Sequence, residues 1–241
     1  MAQYIYGRNT VLSALKEHKV KSIYIANGFS FTPIINEIKK QEIKPQIVSK
    51  KELDKFSDFS NHQGIVATLE NDYSYISLEQ LLSKSKNKQY PLIIMLDGIK
   101  DPHNFGAILR SADAFGVDGI IIKKNGQVQL NSTVAKVSTG AIDYVPVCMV
   151  TNLTQVIEKM KKEGFWVVAS DGGATLDYRS VDYKMPVLLV IGSEGEGISR
   201  LILENSDFVT KIQMVGHVNS LNASVATALY LAQIFNNRFP S

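Results

Sequence analysis

Apolar residues follow two different rhythms along this chain, and the change between them falls near residue 91. Through about Leu69 the spacing predicts a helix near Arg8 to His18, a strand at Ser22 to Ala26 and a helix around Pro33 to Lys40. A strand at Gln46 to Val48, a short helix after Ser49 and a strand at Gly64 to Thr68 complete a small α/β unit, taken as residues 1–70. Residues 71–90 are polar and lysine-containing with one short amphipathic piece at Leu78 to Leu82, which predicts a linker. After Pro91, the segments LIIML, GIII, YVPVCM, FWVVAS, VLLVIG and FVTKIQM each have the apolar run of a buried strand, and helical spacing lies between them. Such alternation predicts a second α/β domain over residues 91–241, built on a mainly parallel sheet covered on both faces. Ligands of such sheets bind beyond the carboxyl ends of the strands, so the loops that follow those runs are where chemistry is sought.

Composition narrows the class. With 241 residues and 45% hydrophobic content the chain can bury a full core. No apolar run approaches a membrane span, and the first residues lack the basic-then-apolar order of a signal peptide, so a soluble cytoplasmic protein is expected. The single cysteine, Cys148, suits a reducing compartment and sits in an apolar run, as a buried inert thiol would. A formal net charge of +3 is weak evidence, but all of the excess lies in residues 1–70, with ten Lys and Arg against seven Asp and Glu. That balance fits a nucleic-acid contact surface and equally fits ordinary surface variation.

Three loops stand out. The first, Asp101 to Gly116, follows LIIMLDG; Asp101 or Asn104 can cap the coming helix, and Arg110 sits off its apolar stripe beside the small residues Gly106, Ala107 and Ala114. Arg110 is free there to meet a phosphate or carboxylate, or simply to pair with Asp113 one turn on. The second, Leu188 to Ile202, carries glycines as GxxGxG with Glu194 and Glu196 between them, which disfavours a pyrophosphate cradle; it is either a tight turn or a place of close backbone approach. The third, Gly216 to Leu229, crowds Asn219, Ser220, Asn222 and Ser224 ahead of an apolar segment, where one helix cap needs one or two such residues.

These three segments, in this order and spacing, resemble the three motifs of the SpoU branch of the SPOUT RNA methyltransferases, over roughly residues 91–237. YGRNTVLSAL (Tyr6 to Leu15) and HQGIVA (His62 to Ala67) resemble the RNA-substrate-binding domain of the ribosomal-RNA guanosine members. The resemblance implies methyl transfer from S-adenosyl-L-methionine to a ribose 2′-hydroxyl, without a metal. It implies catalytic roles for Asn104, Arg110, Glu194, Ser220 and Asn222, and backbone contacts to the donor at Gly192, Ile212 and Leu221. A SPOUT domain with a deep trefoil knot, which periodicity does not foretell, and a homodimer with the site near its two-fold axis are further implications. His217, and Ala223 in place of a commoner valine, depart from the pattern without touching these positions. The RNA expected is ribosomal, a guanosine of the large subunit, with transfer RNA the alternative.

Classes other than a methyltransferase fit less well. The small unit alone could serve a non-catalytic RNA binder; G-x-S-x-G and H-E-x-x-H are absent, which disfavours a hydrolase or a zinc enzyme.

Overall fold

The computed structural model describes residues 4–69 and 73–240, which divide into two compact units, Met1–Tyr73 and Ser74–Ser241. In the first unit β1 (Tyr4–Tyr6), α1 (Arg8–Lys16), β2 (Val20–Ala26), α2 (Thr32–Lys40), β3 (Gln46–Val48), α3 (Lys50–Phe56) and β4 (Ile65–Leu69) follow in order. The sheet order is β1-β4-β2-β3, antiparallel except between β2 and β3. Alternation puts Ile23, Ile65 and Ala67 on one face, sealed by Val11 and Leu15 of α1 and Ile34 and Ile38 of α2. Tyr4 and Tyr24 occupy the other face, where Phe56 of α3 stacks on Tyr4 at 4.9 Å between ring centroids. Helix α3 starts on a capping box in which Ser49 and Glu52 satisfy each other's backbone N–H groups.

The second unit runs α4 (Leu78–Ser85), β5 (Leu92–Asp97), α5 (Pro102–Ala114), β6 (Gly119–Lys123), α6 (Ser132–Ser138), β7 (Val147–Val150), α7 (Leu153–Lys162), β8 (Trp166–Ser170) and β9 (Leu176–Asp177). It ends with β10 (Val187–Gly192), α8 (Arg200–Glu204), β11 (Phe208–Lys211) and α9 (Ala223–Arg238). The segment expected to be a linker carries α4, capped by Ser77, with Leu81 fully buried in the core of this unit. Its amphipathic stretch is short, so the turn polarity around it outweighed the helical signal in the sequence.

The seven strands form one parallel sheet in the order β7-β6-β5-β10-β8-β11-β9. Both faces are covered, as the long apolar runs require. Ile93, Met95, Val167, Leu188 and Val190 face a core closed by α4, α7 and α8, while the alternate residues Ile94, Leu96, Leu189 and Ile191 are buried toward α5, α6 and α9. Gly106 allows the closest of these helix contacts: a Cβ there would lie 2.6 Å from Val137 Cβ of α6. Its small size therefore serves packing and does not serve the freedom of Arg110.

The direction of winding reverses at β5. From there β6 and β7 build one way, and β8 crosses back leaving room for β10 beside β5. This is a topological switch point, and the loops after β5, β8, β10 and β11 gather at its carboxyl ends. At the opposite end of the strands the guanidinium of Arg238, the last residue of α9, is buried. It donates to the carbonyls of Tyr90 (2.8 Å), Pro91 (3.3 Å), Tyr183 (2.9 Å) and Met185 (2.9 Å), and burial pushes its pKa down to about 10. Those carbonyls lie just ahead of β5 and β10.

Candidate active site

Each wall of the site comes from a loop leaving a strand end. After β5, Asp101 caps α5 by accepting from the His103 N–H at 2.9 Å, with Pro102 at the first helical position, so Asn104 is released from capping. After β10, residues 193–197 close a tight turn in which the Ser193 and Gly197 backbones bond each other in both directions, at 3.2 and 3.0 Å. Gly192 permits this closure by packing: a Cβ on it would lie 2.5 Å from Ile198 N and closer still to the Gly197 carbonyl. Gly197 permits it by conformation, with φ +67°. The close approach that the glycines allow is thus made by the turn to itself. Asp97 at the end of β5 accepts from the Ser199 N–H at 2.8 Å, and Lys100 pairs with Glu196 at 3.2 Å, which fixes the turn against the first loop.

The third loop ends at α9, whose cap is Asn222. Its Oδ1 accepts from the Ser224 N–H (2.9 Å), the Ser224 hydroxyl (2.6 Å) and, more loosely, the Val225 N–H (3.4 Å). Its Nδ2 points the other way, donating to Asn104 Oδ1 at 2.9 Å and to Glu194 Oε1. Glu194 Oε1 also accepts from Asn104 Nδ2 at 3.0 Å and from the Ala223 N–H at 3.4 Å. One carboxylate oxygen thereby ties the three loops together, and Glu194 Oε2 makes no hydrogen bond among the described residues. The polar surplus of the third loop resolves in part: one amide side chain caps with one end and bridges loops with the other.

Two cavities flank the turn at 193–197 and share its residues as a wall. The larger, about 290 Å³, is lined by Gly192, Ile212, Ser220 and Leu221 among others; the second, about 230 Å³, is lined by Gly98, Asp101 and Asn104. Residues 212–221 belong to no helix or strand, so their peptide edges are not committed to a ladder and can read a neutral ligand edge. The charged lining of the larger cavity is Asp171, Glu194, Glu196 and Lys211, an acidic balance that repels phosphates and accommodates a cation. One step back from the rim, the fully buried Tyr230 donates to the Thr210 carbonyl at 2.9 Å and bonds the Thr210 hydroxyl at 2.8 Å, which holds the end of β11 against α9.

Of the residues singled out in the sequence, Asn104, Glu194 and Asn222 are in mutual contact, and Gly192, Ser220, Ile212 and Leu221 share the larger cavity. Arg110 is not among them. It is exposed and makes no hydrogen bond or ion pair among the described residues, with Asp113 or otherwise. Six residues beyond Asn104 on α5, it lies roughly 9 Å further along the helix and on a different face. His217 is exposed. Asp171 and Lys211, which line the cavity, carried no recognisable signal in the sequence beyond their position at strand ends. No group of three or more His, Cys, Asp or Glu side chains among the described residues is arranged to hold a metal ion.

Residues 91–232 match the model of the SpoU rRNA methylase family. The chain belongs to that family. Residues 4–74 match a second model, the substrate-binding domain of RNA 2′-O ribose methyltransferases. A Staphylococcus aureus (strain COL) protein assigned to the TrmH family of tRNA/rRNA methyltransferases is 46% identical over 97% of this chain and 96% of its own length. Among solved structures, an AdoMet-bound rRNA methyltransferase from Sinorhizobium meliloti shares the fold, with a TM-score of 0.63, 24% identity and coverage of 100% of this chain and 88% of that one. The A. aeolicus TrmH/SpoU tRNA modifying enzyme has a TM-score of 0.58 and 33% identity, over 67% of this chain and 82% of its own. As a member of the SpoU family the protein is an RNA methyltransferase, of a family whose methyl donor is S-adenosylmethionine. The acidic cavity edged by loose backbone fits that donor, which carries a sulfonium charge and a neutral adenine. No helix among the described residues is long and apolar enough to cross a membrane.

Proposed function

We propose that the protein methylates a ribose 2′-hydroxyl of a guanosine in large-subunit ribosomal RNA, using the cavity at the β5/β10 switch point for the donor and the adjoining cavity for the target nucleotide. The observation that carries this reading is Glu194, which stands in the wall common to both cavities and whose carboxylate bonds Asn104, in the lining of the second cavity, and Asn222, the cap of α9. A donor on one side and an acceptor on the other are held in register by the same three side chains. The donor, when bound through the backbone at Gly192, Ile212 and Leu221, supplies an activated methyl group.

What remains for the protein is alignment and removal of one proton. Asn104, Glu194, Ser220 and Asn222 orient the loops and the target ribose. Arg110, as the guanidinium, lies against the ribose hydroxyl and its neighbouring phosphate and lowers the hydroxyl's pKa, and the hydroxyl's proton passes to water as the oxygen takes the methyl group. Deprotonating a free guanidinium at pH 7 costs about 8 kcal/mol, so Arg110 acts through its positive charge and the proton leaves to water. Arg110 is exposed, unpaired and on a different face of α5 from Asn104, which suits a group whose partners arrive with the RNA or with a second copy of the chain. Exposed apolar residues on α9, Val225, Leu229 and Phe235, support a homodimer across that helix. The family's trefoil knot and a cytoplasmic location belong to the same reading.

Ribosomal RNA is favoured over transfer RNA by coverage: the rRNA methyltransferase structure spans the whole chain, including the unit matched to RNA substrate binding, and the tRNA enzyme spans two thirds. Mapping 2′-O-methyl groups in RNA from cells lacking the protein tests this. Loss of one large-subunit guanosine methyl is expected; loss at a transfer-RNA position with ribosomal RNA unchanged defeats it. In single-turnover assays on bound RNA, Arg110→Ala should abolish transfer and Arg110→Lys, which keeps charge but not the planar fork, should restore only a small part.

A further inference from the structure

Strands β8 and β11 run parallel in register, Ala169 beside Val209 and Ser170 beside Thr210, so the next residues, Asp171 and Lys211, leave the sheet side by side. Both line the larger cavity. The Asp171 N–H donates to the Thr210 carbonyl at 2.9 Å, which fixes its backbone, and its Oδ1 accepts from the Gly173 N–H at 2.8 Å. Its Oδ2 makes no hydrogen bond or ion pair among the described residues. Lys211 is the sole cation among the described residues that line this cavity, and it too makes no hydrogen bond or ion pair.

The other charges nearby are already engaged. Asp177, the register partner of Lys211 on β9, is closed by Arg179 through two bonds of 2.9 and 2.8 Å, which together with the Arg179 N–H hold its carboxyl at about 2. Glu196 pairs with Lys100, and Glu194 accepts from Asn104, Asn222 and Ala223. One anion and one cation, held adjacent on neighbouring strands yet not paired with each other, thus remain at one side of the cavity.

We infer that Lys211 and Asp171 seat the α-amino-acid end of the methyl donor, Lys211 binding its carboxylate and Asp171 its α-ammonium. This rests on the reading of the cavity as the donor site. A zwitterion with its two charges on one carbon matches two opposite charges on neighbouring strands, and each new contact is a charge-assisted hydrogen bond. The pair would also discriminate: nucleosides lacking the amino acid leave both charges unmatched.

The test is calorimetric binding of S-adenosylhomocysteine and of 5′-methylthioadenosine, which share the thioether and adenosine but differ in the amino-acid end. If the wild-type protein binds neither, it is the donor-site reading that fails. Given binding, Lys211→Met and Asp171→Asn should each weaken S-adenosylhomocysteine about tenfold, roughly 1.4 kcal/mol, and leave 5′-methylthioadenosine within about twofold. Lys211→Arg should recover most of the lost affinity. Retained 5′-methylthioadenosine binding certifies that the variants are folded. Unchanged S-adenosylhomocysteine affinity, or an equal loss for both ligands, overturns the inference; an equal loss in Asp171→Asn alone moves that residue to the adenosine part and overturns its half.

Discussion

The turn after β10 allows one substitution, glycine to alanine, to be made at three positions that differ in a single physical respect each. At Gly192 the added Cβ would lie 2.5 Å from Ile198 N and nearer to the Gly197 carbonyl, where contacts of about 3.5–4.0 Å are comfortable. Both obstacles are backbone, so no side chain can swing aside and the turn must move by about 1 Å. Overpacking of this kind costs about 1–3 kcal/mol, and the absence of a flexible neighbour puts Gly192→Ala near 3 kcal/mol. At about 2–4 °C per kcal/mol for a domain of this size, the melting temperature should fall by about 6–12 °C. Gly197→Ala meets nothing within 4 Å but must hold φ +67°, a cost of about 1–2 kcal/mol. Gly195→Ala meets nothing within 4 Å at an ordinary φ and should change stability by less than about 0.5 kcal/mol. Thermal unfolding followed by circular dichroism ranks the three, and calorimetric titration with S-adenosylhomocysteine reads the cavity wall. Gly192→Ala, which displaces Ser193 and Glu194, should weaken binding at least about tenfold and by more than Gly195→Ala, which moves no backbone. A Gly192→Ala protein melting within about 1 °C of wild type, or a Gly195→Ala protein falling as far, would refute the packing argument.

Asn222→Asp should keep the cap oxygen of α9 but replace the amide donor facing Glu194 with a like charge, so RNA methylation should collapse while melting stays closer to wild type than in Asn222→Ala, which also loses a cap of about 0.5–2 kcal/mol; equal stabilities for the two variants would sink this division of labour. Tyr230→Phe removes a buried hydroxyl that bonds Thr210 twice, and a loss of about 1–3 kcal/mol is expected in thermal or urea unfolding. Burial pushes the Cys148 thiol up from 9.0 to about 11, so at pH 8 its thiolate fraction is on the order of 10⁻³ and a thiol reagent should label it only after denaturation. By the same linkage, the stability owed to a protonated thiol is intact below pH 9.0 and declines as pH rises toward about 11, which alkaline unfolding of a Cys148→Ala control would isolate.

The strands of the second unit were legible because burial on both faces leaves uninterrupted apolar runs, such as Leu92 to Leu96 and Val187 to Ile191. β9 was not, since two residues, Leu176 and Asp177, carry no periodicity. FVTKIQM was too long as a strand: pairing stops at Lys211, and Ile212 to Met214 turn into the cavity wall. Within the site, the crowding of polar groups ahead of α9 singled out Asn222 with its neighbours, because a helix entrance seldom needs so many, whereas the roles expected for Asn104 and Glu194 came from the family resemblance and from no spacing rule. That Gly192 serves contact and Gly197 conformation lies in three-dimensional distances that no spacing expresses. Arg110 shows the converse: its neighbours Gly106 and Ala107 suggested open space, and Gly106 is filled by Val137 of α6.

Arg238 bears on the order in which the protein comes into being. It is made after every strand of the sheet, yet its guanidinium gathers the carbonyls that precede β5 and β10, the two strands bordering the site. The first unit can complete its own sheet while the rest is still being translated, since every strand of it lies within the first 69 residues. The methyltransferase sheet has no such autonomy. A chain cut short by even the last turn of α9 would carry every motif residue and lack the clasp beneath them, so premature termination should yield a protein that is complete in its chemistry and loose at its foundation.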